Sequence, residues 1–186
     1  MSKPQKGKPD RDIMLAQAEA LFAEKGFGTC SLRDVIGAMK CSTTAFYARF
    51  ESKDDVFVEL VRDLLEELAT SAASTLADVR NVDEGFERGV NVLVETLIRR
   101  KPLVAVALSE GDALDGIREA FRQAFTGLAA MMDGQFQIVG VKDAEGRAWA
   151  LIGAIYLQVL RWAVYGDIGD DGLAEAVRRA AAPLVV

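Results

Sequence analysis

Apolar residues recur at three- and four-residue intervals along nearly the whole chain, and no stretch alternates with the two-residue period of a strand. Met14, Leu15, Ala18, Leu21 and Phe22 form the first such stripe, and Gly26 follows where a helix C-terminus favours glycine. Ser31 and Ser42 stand where they can cap two short helices. One carries Leu32, Val35, Ile36 and Met39, the other Phe46 and Phe50. Longer stripes follow: Val56 to Leu68, running on to about Leu76; Phe86 to Ile98, behind a cap at Asn81; Pro102 to about Ser109; Ile117 to Val139; Asp143 to Tyr165; and Leu173 to Leu184. An all-α chain of about nine helices is therefore expected, as one domain or as two helical units sharing a core.

Composition removes several chemistries. The chain has no histidine, which excludes Ser-His-Asp and Cys-His catalysis, His-ligated metals and a histidine pH switch. Cys30 and Cys41 are too few for a disulfide scaffold or a four-thiolate metal site and lack C-x-x-C spacing. They read as small core hydrophobes of a reducing compartment. No acidic pair stands out on an apolar face, so no catalytic residue, cofactor or metal is assigned. The opening MSKPQKGKPD carries no apolar run of a secretory signal. The greasiest stretch, Trp149 to Tyr165, is interrupted by Gln158 and Arg161 and falls short of the ~20 residues of a membrane span. A cytoplasmic protein that does not enter the membrane is expected.

The net charge of −6 is unevenly spread. Residues 1–53 carry nine Lys/Arg against six Asp/Glu, whereas the remainder carries thirteen against twenty-two. Such asymmetry hints at an N-terminal part that faces nucleic acid. Within it, residues 29–53, TCSLRDVIGAMKCSTTAFYARFESK, read as a capped helix, a tight turn and a second capped helix. Leu32, Val35, Phe46 and Phe50 face inward. Thr43, Thr44, Tyr47 and Ala48 present a compact outer face that fits a ~12 Å major groove. Thr hydroxyls bond base edges or phosphates, Tyr47 reaches a phosphate, and Lys53 places a cation near the start of the next helix.

This pattern resembles the tetracycline-repressor-like (TetR) transcriptional regulators. The resemblance rests on Met14-Leu15, Leu21-Phe22, Gly26-Phe27, Ser31-Leu32, Asp34-Val35, Ser42, Phe46-Tyr47, Phe50 and Lys53, and covers about the first third of the chain. It implies a helix-turn-helix DNA-binding domain over 10–52, behind a flexible basic tail over 1–9, and a ligand-binding and dimerisation domain over 53–186. It further implies a homodimer on a two-fold DNA operator, released when a small effector molecule binds. Arg33, Ser42, Thr43, Thr44, Tyr47 and Lys53 are the expected DNA contacts, with Lys3, Lys6 and Lys8 as a possible minor-groove arm. Three departures stand out. Lys40 occupies a common turn-glycine position, so it is left-handed or the turn is of another type. Ala45 replaces a frequent threonine, and Ala48-Arg49 replace a common aromatic or histidine pair.

In the C-terminal two thirds, aromatic residues and methionines read first as core. By the resemblance, part of that interior is a pocket, with Leu65, Phe86, Asn91, Phe121, Phe125, Gln135 and Tyr156 as expected lining and Gln158 as a further polar candidate. Its apolar character favours an apolar or aromatic effector. The helix over 149–165 is too apolar to own a solvent face, and pairing with a second copy would cover it. Gly153, Leu157, Leu160 and Val177 are the expected interface residues. Two other classes remain compatible with an all-helical chain: a protein-interaction module and a carboxylate-based helical enzyme, neither binding DNA.

Overall fold

A computed structural model describes residues 10–76, 81–138 and 140–185. The expected basic tail, with Lys3, Lys6 and Lys8, lies outside these residues, as does Val139. Nine α-helices and no strand occur among the described residues. They are α1 (Arg11–Lys25), α2 (Leu32–Ala38), α3 (Thr43–Tyr47), α4 (Lys53–Leu76), α5 (Val82–Arg99), α6 (Lys101–Glu110), α7 (Asp115–Ile138), α8 (Ala144–Leu160) and α9 (Leu173–Val185). Short 3₁₀ turns precede α7 and α9, and one π-helical turn, Arg161–Tyr165, extends α8.

The helix ends follow local chemistry. Asp10 caps α1, Ser42 accepts the Ala45 N–H at 3.1 Å, and Asn81 accepts the Glu84 N–H at 2.8 Å. Ser31 and Asp34 form a reciprocal capping box at α2. Gly26, at φ 79°, ends α1 while its N–H donates to the Phe22 carbonyl. Gly116 serves a different need: a Cβ there would meet Val58 Cγ2 at 2.8 Å, so its absence lets α7 lie close on α4.

One apolar cluster runs from Met14 in α1 through Phe46, Phe50 and Phe57 to Trp162 and Val177. Phe22, Phe27 and Phe57 form a ring trio with centroids 5.3, 5.8 and 4.4 Å apart, joining α1 and its exit turn to α4. A second cluster, around Phe136, Ala148, Leu151, Ile152 and Ala181, fills the space between α7, α8 and α9. Polar clasps reinforce the junction of α1 with α6. Arg100, before α6, bonds Glu19 of α1 at 2.7 Å and Glu67 of α4 at 3.4 Å. At the far end of α6, Glu110 accepts the Gly28 N–H at 2.9 Å. Burial alone would lower the Arg100 pKa, but the bonds and charges of Glu19 and then Glu67 outweigh it and raise it.

The π-helical turn buries Trp162, whose indole N–H donates to Asp170 at 2.7 Å. Lys101 pairs with the same carboxylate and lies 4.8 Å from the Trp162 ring centre. Lys101, and then Trp162, hold the Asp170 pKa below the ordinary carboxylate range. A depressed folded-state pKa means that this stabilisation is complete above the unfolded-state value and is lost as pH falls through the folded one. Wild type should therefore outmelt Asp170→Asn at neutral pH, with the gap closing in acid. A gap of constant size down the acid limb of the melting profile would exclude this role.

The structure corrects the sequence reading at two places here. Val177 is not a surface residue but 0% exposed, packed in the first cluster where α9 lies against α5 and α8. The π turn also lengthens the α8 span to Ala144–Tyr165, long and apolar enough to cross a membrane by length and composition. Ala148, Leu151, Ile152, Val159 and Trp162 on that span are nevertheless spent on the protein core.

Candidate nucleic-acid interface

The unit α1–α2–α3 places a five-residue helix at one end of the molecule. Alone, five residues cannot hold a helix against the cost of nucleation, so packing must position it. Phe46 is 0% exposed, with its ring 5.5 Å from that of Phe50, also buried. This anchor turns the opposite face outward: Thr43 and Thr44 are exposed, and Tyr47 is 55% exposed. Ser42 is exposed too, although its hydroxyl oxygen is engaged in capping α3. Lys40, in the turn before it, adopts φ 51°, the left-handed alternative of the two expected from sequence.

Several arginines are tied to carboxylates: Arg11 of α1 to Glu59 at 2.7 Å, Arg161 to Asp167 at 3.0 Å and Arg178 to Glu87 at 2.8 Å, whereas Arg62 and Lys142 are exposed with no carboxylate within 4.0 Å among the described residues. Lys25, Arg33 and Lys40 are exposed and have no carboxylate within 4.0 Å among the described residues. The nearest competitor for Arg33, Asp34, is held by the Ser31 hydroxyl at 2.6 Å and by the Ser31 N–H at 2.9 Å. Those two bonds, the hydroxyl first, lower its pKa and keep it charged. Lys25 and Lys40 are not among the expected contacts; that they are exposed with no carboxylate within 4.0 Å among the described residues is visible only from tertiary contacts.

The ammonium of Lys53 donates to the carbonyls of Phe27 at 2.8 Å and Cys30 at 2.9 Å and sits 4.1 Å from the Phe27 ring centre. Two of its three donors thus lock the α1–α2 connection onto α4, which gives Lys53 a structural role. Cys30 is buried and Cys41 half-buried. Burial, aided at Cys30 by Asp34, raises both thiol pKa values, which disfavours the reactive thiolate.

The expected pocket residues divide. Leu65, Phe86, Phe121 and Phe125 are half-buried, and Phe86 packs on both apolar clusters. Phe121 and Phe125 stack at 5.7 Å, and Tyr156 meets Phe125 edge-on at 5.7 Å. Asn91 is instead exposed and accepts a bond from Arg178 at 2.7 Å, and Gln135 is exposed on α7. Neither lines an interior, because each falls on the polar side of its helix. Tyr156 reaches the surface on the outer face of α8. The polar side chain that is buried there is Gln158, which accepts from Arg161 at 3.0 Å. Two open hollows lie in the groove of α1 and α4, near Arg11, Asp63 and Glu19. No group of three or more acidic or thiol side chains that could hold a metal occurs among the described residues.

Comparison with known proteins fits this arrangement. Residues 14–60 match the family model of bacterial regulatory proteins, tetR family, which spans α1 to the start of α4 and includes the whole helix-turn-helix. An uncharacterized HTH-type transcriptional regulator of Bacillus subtilis (strain 168), YuxN, is 23% identical over 104 residues. That match covers 56% of this chain and 36% of YuxN, so the chain spans little more than a third of that relative. Among solved structures, a TetR-family regulator from Syntrophomonas wolfei superposes with a TM-score of 0.80 at 18% identity, covering 95% of both chains. The fatty acid degradation regulator FadR of Bacillus halodurans gives 0.77 at 17% identity, covering 99% of this chain and 97% of that one. These likenesses establish the fold, and the relatives are transcriptional regulators rather than enzymes. Residues 14–60 thus match the helix-turn-helix model of the tetR family of bacterial regulatory proteins, and the whole chain has the all-α fold seen in regulators of that family.

Proposed function

We propose that the protein is a cytoplasmic homodimeric repressor that lays α3 in the major groove of a two-fold operator and leaves it when a small apolar molecule binds. The observation that carries this reading is the outer face of α3, polar and exposed, with Arg33 and Lys40 exposed near it and, among the described residues, without a carboxylate within 4.0 Å. Residues 10–52 form the DNA-binding part and 53–186 the body in this reading. Thr43 and Thr44 read base edges, while Tyr47, Arg33 and the Ser42 hydroxyl bind phosphates. Thr44→Ala should reduce discrimination between operator and random DNA by ~1–3 kcal/mol per half-site. Tyr47→Phe should weaken both about equally, since a phosphate contact carries no sequence information. Duplexes from the DNA upstream of the reading frame and of random sequence, titrated with unchanged melting temperature as control, test both. Wild-type binding by both variants would remove α3 from the groove.

Effector response is supported by the half-buried aromatic group Phe86, Phe121 and Phe125, which lies where the two apolar clusters meet. The structural likeness to the fatty acid degradation regulator of Bacillus halodurans is consistent with an apolar ligand. Dimerisation is supported by the outer face of α8 and its π-helical extension, where Trp149, Tyr156, Leu157 and Tyr165 are exposed and Gly153 has open space around it.

A further inference from the structure

We propose that Lys40 clamps the DNA backbone beside α3 and that the protein sacrifices turn stability to keep it there. The inference rests on the reading that α3 enters the groove, and it adds a positioning residue to that site.

Lys40 and Asp143 are the two non-glycine residues with positive φ among the described residues, at 51° and 53°. Left-handed backbone crowds the Cβ against the neighbouring carbonyl, a cost that glycine escapes. Aspartate tolerates the conformation through its short polar side chain, whereas a lysine has no such local compensation. The fold around Lys40 explains the backbone but not the side chain. Its N–H donates to the Gly37 carbonyl at 3.1 Å, closing the turn between α2 and α3, a bond that glycine would make equally well. The side chain is exposed and pairs with no carboxylate within 4.0 Å among the described residues.

The residue is therefore strained where strain is avoidable, and what its side chain adds over glycine is an exposed charge with no carboxylate within 4.0 Å among the described residues. That charge sits two residues before the Ser42 cap of α3, on the same end as Arg33 and Lys25. Strained backbone of this kind persists where the side chain has work to do. A polyanion is the partner that such a cation fits, and a flexible ammonium suits a phosphate rather than a base edge. Lys40 thus sets the depth and register of α3 without reading sequence.

The test separates charge from conformation in the full-length protein. Lys40→Gly relieves the strain and should raise Tm by about 1–4 °C. The same variant should bind a random-sequence duplex and the upstream duplex alike about three- to tenfold more weakly at moderate salt. The slope of log affinity against log salt should fall by about one per subunit. Lys40→Gln keeps the strain and loses the charge, so it should keep the wild-type Tm and weaken DNA as the glycine variant does. Lys40→Arg should match wild type in both. A turn residue with a purely structural role predicts higher Tm with unaltered DNA binding in Lys40→Gly, and that outcome overturns the proposal. Weakening by glycine but not by glutamine overturns it as well, since flexibility and not charge would then be responsible. If Lys40 variants bind normally while Tyr47→Phe is impaired, only Lys40 is excluded; if neither matters, the placement of α3 fails with it.

Discussion

Replacing Phe46 with alanine should destabilise the protein by about 3–5 kcal/mol, because the vacated volume lies in a fully buried site that α3 alone cannot collapse around. For a chain of this length a loss of that size lowers Tm by about 6–20 °C, if unfolding is two-state. The local consequence is larger than the global one. α3 has five residues, and its other inward neighbour, Phe50, contacts Phe46 directly. With Phe46 gone, the exposed Thr43, Thr44 and Tyr47 lose the platform that orients them, so DNA binding should fall even at temperatures where the rest of the protein stays folded. Thermal melting followed by circular dichroism, together with DNA titration well below Tm, measures both effects. A loss under about 1 kcal/mol would show that Phe46 does not anchor the helix. Tyr47→Phe is the matched control for the melting measurement, since it keeps the ring that meets Phe46 edge-on at 5.4 Å and removes only an exposed hydroxyl.

Gly153→Arg should convert the protein from dimer to monomer. On the single chain the substitution is harmless: a Cβ at Gly153 meets nothing within 4 Å, and arginine is a better helix former than glycine by ~1 kcal/mol. In a paired α8 the same side chain brings an unpaired charge into an apolar contact between Trp149, Tyr156 and Leu157, the last 50% exposed in the monomer. Light scattering should report half the wild-type mass with an intact far-ultraviolet spectrum. Operator affinity should then drop by roughly 10²–10⁴, because two linked half-sites are no longer engaged together. A variant that stays dimeric would place the interface elsewhere than the outer face of α8.

Helix positions were readable from the sequence because their causes are local. A cap acts over three residues, as at Ser31, Ser42 and Asn81, and a C-terminal glycine acts over four, as at Gly26. The inward pair Phe46 and Phe50 follows from helical spacing alone, and so does the outward face carrying Thr43, Thr44 and Tyr47. The same short-range pattern underlies the match of residues 14–60 to the tetR family model.

What escaped depends on partners far along the chain. Periodicity shows that Val177 lies on an apolar stripe, but not whether α5 and α8 of the same molecule or a second copy covers that stripe. The sequence shows Lys53 as a cation near a helix start, but not that its ammonium bonds two carbonyls 26 and 23 residues earlier, which converge only once α1, α2 and α4 have packed. Asn91 and Gln135 sit among apolar neighbours in sequence yet point outward, since a helix rotated by packing decides which polar residue reaches an interior. Sequence alone therefore determined the helices, their ends and the face that α3 offers. Tertiary structure decided which cations are neutralised, which stripes are already covered and which of two turn conformations Lys40 adopts, because each is a competition between groups that only folding brings within reach.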